Sequence, residues 1–94
     1  MHHTTHLAGA KFRPKDAQAA YDELEDGGAL DLVSEPTNAF DPHAVMVFVN
    51  AEHVGYVPAK ISEEITNLIA DGSFTHALKR ARKTIEIHFE EDII

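Results

Sequence analysis

The fold is decided by the stretch LVSEPTNAFDPHAVMV, which occupies residues 32–47. Its centre, residues 35–42, carries two prolines with Asn and Asp between them, which excludes regular structure and predicts a shaped loop. Residues 44–49 follow and are apolar on both alternating faces. This pattern predicts a strand that is buried on two sides, as in a closed barrel.

The chain after this stretch predicts a strand, a helix and a hairpin. A tight turn at residues 50–52 leads to a return strand over residues 53–57, in which Gly55 marks a bulge, a bend or a close backbone approach. Pro58 opens a helix and Gly72 closes it. The apolar stripe of this helix consists of Ile61, Ile65, Leu68 and Ile69. A final hairpin is predicted over residues 74–83 and 84–90.

The chain before the stretch predicts a strand, a helix and a second strand. Residues 4–12 are rich in small and apolar side chains and predict the first strand, and Pro14 suits the first turn of a helix. Gly27-Gly28 ends that helix, and residues 30–33 form the next strand. The apolar stripe of the helix consists of Ala17, Ala20, Tyr21 and Leu24.

These elements follow the order β-α-β-β-β-α-β-β and predict one α+β domain over residues 1–94. The fold class is mainly β with two helices, a small OB-like or SH3-like barrel of about six strands. The 94 residues suit a single core. No cysteine is present, which excludes disulfides, a thiolate metal site and a cysteine nucleophile. No apolar run reaches the length of a membrane span, and we expect a cytoplasmic protein without a membrane partner.

The net charge is −8, but the basic residues are clustered. Residues 16–71 hold twelve acids and one lysine, whereas two other segments hold bases and no acid. The bases of those segments that we predict as possible phosphate contacts are Lys11, Arg13, Lys79, Arg80, Arg82 and Lys83. A positive face forms if the fold brings these segments together; otherwise the second cluster is only a solvated hairpin turn.

Residues 32–47, followed by VGYVP at residues 54–58, resemble the HIRAN domain. The family pattern is acid-Pro-x-Asn-x-aromatic-Asp-x-x-Ala-aliphatic-x-Val and then Gly-Tyr-aliphatic-Pro, and each of these positions is filled here. Leu7-Ala8-Gly9 matches the end of the first-strand motif of the family. The resemblance implies an OB-like barrel that binds DNA, with capture of single-stranded 3′ ends as the known activity in fork-remodelling ATPases.

The resemblance implies a set of nucleic-acid-binding residues. An aromatic side chain stacks on a base, and a carboxylate accepts a hydrogen bond from the 3′ hydroxyl while it repels a phosphate. The site residues predicted in this way are Thr5, His6, Asn38, Phe40, Asp41, Tyr56 and Lys60. Alternative roles stay open: Asn38 and Asp41 as turn residues, Phe40 as a core plug, and Tyr56 as a packed ring with an exposed hydroxyl.

No catalytic motif, cofactor or metal site is predicted. The three histidines near the N-terminus lie in an extended segment without a nearby carboxylate, and the other histidines are scattered in sequence. We therefore predict a DNA-binding module for single-stranded DNA or 3′ ends in replication, repair or phage DNA metabolism, and not an enzyme. The alternative is a protein-interaction module or an acidic DNA mimic. Convergence of the basic segments with Phe40 and Asp41 would favour DNA. The oligomeric state stays open.

Overall fold

The computed structural model describes residues 1–90 and confirms the predicted order of elements. The predicted domain boundary at residue 94 lies outside the described residues. The strands are β1 (His2–His6), β2 (Ala29–Ser34), β3 (Val45–Val49), β4 (Glu52–Tyr56), β5 (Phe74–Lys79) and β6 (Thr84–Phe89). The helices are α1 (Lys15–Glu23) and α2 (Ala59–Ala70), and a short 3₁₀ helix spans Ala10–Phe12. Among the described residues, no helix is long and apolar enough to cross a membrane.

The six strands form one sheet in the order β1-β6-β5-β2-β3-β4, with antiparallel pairing between all neighbours. The sheet curls until the segment after β1 meets the far edge. There Ala8 and Tyr56 exchange two backbone hydrogen bonds of 2.8 Å. This bridge, which we call the seam, joins the two edges at one point and confirms a small barrel-like fold.

Gly55 is the residue that makes the seam possible. A Cβ at this position would lie 2.7 Å from the carbonyl oxygen of Ala8 and 2.8 Å from the side chain of Leu7. Both distances are shorter than the contacts that Cβ atoms make in proteins, so any other residue at this position would clash. Of the bulge, bend or close backbone approach predicted at Gly55, the structure shows the close approach, and the register with β3 also shifts beside it.

The core lies between the concave face of the sheet and the two helices. Its most deeply buried side chains are Val45, Val47, Val54, Ile65, Ile85 and Ile87. Both predicted helical stripes contribute, because Ala17, Tyr21 and Ile65 are buried and their stripe neighbours pack against the core at partial exposure. Burial of this apolar surface supplies the main stabilisation of so small a domain.

Two predicted boundaries and one predicted burial pattern are wrong. β1 covers only His2–His6, because Gly9 adopts a left-handed φ of 70° and turns the chain into the 3₁₀ helix. α1 ends at Glu23, because Leu24 is already extended; Gly27, with a φ of 83°, belongs to the turn that follows. β3 is fully buried on one face only, since Met46 and Phe48 stay half-exposed on the other.

One basic side chain is part of the interior. Lys79 is buried, and its ammonium group donates to the carbonyl oxygens of Tyr21 at 2.6 Å and Leu24 at 2.8 Å, with Asp22 at 3.4 Å. It also lies 4.5 Å from the centroid of the Tyr21 ring. These carbonyls are the last ones of α1, which carry the negative end of the helix dipole. Lys79 therefore caps α1 from the neighbouring sheet.

Candidate functional site

The loop between β2 and β3 is held in shape by its own hydrogen bonds. The amide of Glu35 donates to the carbonyl of Ala44 at 2.8 Å and closes the loop at its base. Inside the loop, the side-chain oxygen of Asn38 accepts from the amides of Phe40 at 2.9 Å and Asp41 at 3.0 Å. Asn38 therefore acts as a turn residue, which was one of the two roles left open for it. Its side chain fixes the backbone at Phe40 and Asp41.

Phe40 projects from this rigid loop into solvent and is 98% exposed. The alternative of a core plug is wrong. An aromatic ring with no apolar partner contributes nothing to folding through burial. The conformation of the loop is fixed without help from the ring, so the ring is presented before any ligand arrives.

Asp41 links the loop to α2. One carboxylate oxygen accepts from the amide of His43 at 2.8 Å, and the other accepts from the hydroxyl of buried Ser62 at 2.7 Å. The hydrogen bond from Ser62 and then that from His43 hold the pKa of the Asp41 carboxyl below its usual value. The group is therefore an anion at neutral pH, and each oxygen keeps a lone pair for another donor.

Glu35 is the residue that the sequence-based prediction of the site missed. One of its carboxylate oxygens accepts from the side-chain amide of Asn38 at 2.7 Å and from the hydroxyl of Tyr56 at 2.9 Å. These two bonds, in that order, lower the pKa of Glu35. The pKa of Tyr56 is raised, first by burial and then by this bond. Glu35 is the acid of the acid-Pro motif, so its place in the pattern was the available signal.

A shallow groove of about 240 Å³, here called the end groove, runs between the loop, the seam and the start of α2. It brings together four predicted site residues: Asn38, Phe40, Asp41 and Tyr56. Its floor is made of small or apolar residues, among them Ala8, Gly9 and Ala44.

A larger groove of about 620 Å³, here called the basic groove, adjoins the end groove along Ala8 and Gly9, which line both. It collects residues from both basic segments of the sequence. The basic and titratable side chains along it are His6, Lys11, Tyr21, Asp22, Arg82 and Lys83. Burial raises the pKa of Tyr21 to about 12, followed by the nearby charges of Asp22 and Asp26.

The remaining predicted residues lie outside both grooves. Thr5 is a half-buried residue in the pairing of β1 with β6, and Lys60 is exposed in the first turn of α2. Arg13 donates its Nε to the carbonyl of His53 at 2.8 Å. A correction applies to one predicted phosphate contact, because the ammonium group of Lys79 is buried against α1. The Nε of Arg80 donates to Glu86 at 2.9 Å, and its side chain stays half-exposed.

Comparison with known proteins agrees with the sequence motif. The model of the HIRAN domain matches residues 2–91. The fold is similar to the crystal structure of the HIRAN domain of human HLTF, with a TM-score of 0.75 and 14% sequence identity. That similarity covers 94% of this chain and 74% of the other, and at this identity it concerns the fold. No curated protein matches the sequence. Because the family model spans almost the whole chain, the chain belongs to the HIRAN domain family.

Proposed function

We propose that this domain is a DNA-binding module that captures the 3′ end of single-stranded DNA in the end groove. The observation that carries the proposal is Phe40, which is 98% exposed on a loop whose shape does not depend on it. A base that stacks on such a ring gains about 1–3 kcal/mol. The loop is already ordered, so little of this gain is lost to ordering the protein.

The walls of the end groove offer a chemistry that suits a free 3′ hydroxyl. The Asp41 carboxylate already accepts two hydrogen bonds and has room for a third from the hydroxyl of the terminal sugar. Glu35 adds a second negative charge behind Asn38 and Tyr56. A terminal phosphate at the same place would be repelled by both carboxylates. The groove would therefore separate a true 3′ end from a phosphorylated end.

The preceding nucleotides would follow the basic groove. Lys11, Arg82 and Lys83 line it, and it shares Ala8 and Gly9 with the end groove. Each phosphate that such a side chain neutralises releases counterions from the DNA, which makes binding sensitive to salt. The net charge of −8 does not oppose this path, because these bases converge locally. His6 in the basic groove, and Lys60 beside the end groove, remain part of the proposal.

The proposal is a binding role and not a catalytic one. Glu35 and Asp41 both have lowered pKa values, so neither holds a proton for donation at neutral pH. Recognition of unpaired ends would serve replication, repair or phage DNA metabolism. A protein-interaction role, in which the acidic surface meets a basic partner, is the outcome to adopt if DNA does not bind.

Fluorescence anisotropy at low salt tests the proposal. The probes are single-stranded oligonucleotides with a 3′ hydroxyl or a 3′ phosphate, and a duplex control. We expect the wild-type domain to prefer the free hydroxyl, and Asp41→Asn to reduce that preference. Asp31→Asn removes the same charge from an exposed position on β2 and should leave the preference unchanged. Absence of binding to all probes at tens of micromolar protein would contradict the proposal.

A further inference from the structure

A row of histidines crosses three neighbouring strands, and none of its members lines either groove. In the strand registers, His2 of β1 and His76 of β5 are both paired with His88 of β6. The ring centroids of His2 and His88 are 4.9 Å apart, and those of His76 and His88 are 4.4 Å apart. His76 and His88, which are scattered in the sequence, are therefore brought beside His2 by strand pairing.

A carboxylate stands beside this row. Glu86 lies two residues before His88 and so projects from the same face of β6. One of its oxygens is 3.0 Å from the Nε2 of His88. One ligand atom from each of His2, Glu86 and His88 lies within 4.8 Å of the other two. Ligands at about 2.1 Å from a tetrahedral ion lie about 3.4 Å apart, so modest side-chain rotations complete the geometry.

The surroundings already hold the carboxylate as a metal ligand is usually held. The Nε of Arg80 donates to the second oxygen of Glu86 at 2.9 Å, which leaves the first oxygen directed toward the histidines. Partners of this kind fix the orientation of a ligand and tune its affinity for metal. His76 provides a further imidazole beside His88.

We propose that His2, Glu86 and His88 form a binding site for a divalent transition-metal ion of the zinc class. Imidazole nitrogens with one carboxylate oxygen suit such ions better than Mg²⁺ or Ca²⁺, which require oxygen ligands. The ion would fasten β1 to β6 at the start of β1. His6, which lines the basic groove, is four residues further along the strand, a distance of about 13 Å. The metal site is thus separate from the DNA site and does not depend on it.

The site is tested by titration of the metal-free full chain with ZnCl₂ in a calorimeter, in a buffer that does not bind metal. We expect about one ion per chain, and a loss of at least tenfold in affinity for Glu86→Gln and His2→Ala. His2 is exposed, so its truncation leaves the fold intact. His3→Ala is the matched control. His3 is the next residue on β1 but faces Phe89 and Glu64 on the other side of the sheet.

The melting temperature distinguishes zinc binding at this site from weak binding of zinc to other histidines of the chain. Zinc at a hundredfold excess over its dissociation constant should raise the melting temperature of the wild-type domain by about 10 °C. The shift should persist in His3→Ala and fall to about half or less in His2→Ala, as a loss of at least tenfold in affinity requires. Absence of both heat and thermal shift at 100-fold molar excess of zinc, or equal binding by His2→Ala and the wild type, would overturn the proposal.

Discussion

Replacement of Lys79 by methionine tests whether its positive charge stabilises the fold and does not bind DNA. Methionine keeps the unbranched stem but removes the ammonium group. The variant removes the ammonium donor from the carbonyl oxygens of Tyr21 and Leu24, which accept from it at 2.6 and 2.8 Å, and leaves the Tyr21 carbonyl only the weaker bond from the Leu24 amide at 3.2 Å. It also removes the cation from its place 4.5 Å from the Tyr21 ring.

The expected cost follows from these contacts. Two short hydrogen bonds from a charged donor contribute about 1.5–3 kcal/mol each. The contact with the ring adds about 1 kcal/mol, and release of a buried ammonium from its desolvation cost offsets part of the sum. We expect the free energy of unfolding to fall by about 3 kcal/mol, a large share of the ~5–15 kcal/mol that stabilises a domain of this size.

Urea unfolding followed by circular dichroism measures this loss. With a slope of about 1.5 kcal/mol per molar urea, the midpoint should fall by about 2 M. The control is Lys83→Met, because Lys83 is exposed in the turn between β5 and β6 and should change stability by less than about 0.5 kcal/mol.

The same pair of variants should behave in the opposite way toward DNA. If the basic groove carries the phosphates, Lys83→Met lowers the salt dependence of binding by about 0.7 in logarithmic slope. Lys79→Met, measured where it is folded, should keep the wild-type slope. An unchanged urea midpoint for Lys79→Met, or a reduced salt slope for it, would refute the assignment of Lys79 as the cap of α1.

Three further predictions test the loop, the seam and the carboxylates. Phe40→Ala should weaken binding of single-stranded DNA by about 5- to 150-fold, the equivalent of ~1–3 kcal/mol of stacking. Its melting temperature should not change, because the ring is 98% exposed. Gly55→Ala should destabilise the domain to urea by about 1–3 kcal/mol, because its Cβ meets backbone at 2.7 Å; a wild-type midpoint would contradict the seam. In the folded domain, Glu35 and Asp41 have pKa values below their ordinary 4.5 and 3.8. The two ionised carboxylates therefore stabilise the folded state above these ordinary values, and this stabilisation is lost as the pH falls through the lowered pKa values of the folded state. Urea midpoints between pH 7 and pH 3 should show this loss, and a smaller loss in Asp41→Asn; identical profiles would count against it.

The order of elements was predictable because each element is specified by local chemistry. Ile85 and Ile87 alternate with polar residues and are fully buried, as a half-buried strand requires. The loop over residues 35–42 contains Asn and Asp side chains that accept hydrogen bonds from nearby backbone amides, so its composition predicts its irregular conformation.

Other features depend on contacts between distant parts of the chain. Lys79 looked like a member of the basic cluster that follows it. Strand alternation, however, places it on the same inner face as Ala77, opposite the end of α1. The position of Lys79 two residues after Ala77 was a usable signal, because side chains two residues apart lie on the same face of a strand. The helix whose carbonyl groups bind the ammonium group, however, is specified elsewhere in the sequence.

The residues that line the end groove were predictable in part, but their contacts were not. The motif named Asn38, Phe40, Asp41 and Tyr56 correctly as neighbours, since all four line the end groove. Whether Phe40 points inward or outward depends on the packing around the loop, which no local pattern records. The row of histidines was hidden for a similar reason, because it exists only through the register between the first and last strands.

The seam has a dynamic consequence. Most neighbouring strands share several backbone hydrogen bonds, but the edge of β4 meets the chain after β1 through the two bonds between Ala8 and Tyr56. Local opening requires the least free energy where few cooperative bonds must break together. We therefore expect the barrel to open locally at the seam. Ala8, one of the two residues of the seam, lines both grooves. A strand of DNA lying across the two grooves would span this line and restrain its opening, so the most labile backbone of the empty domain would become protected when the ligand is bound.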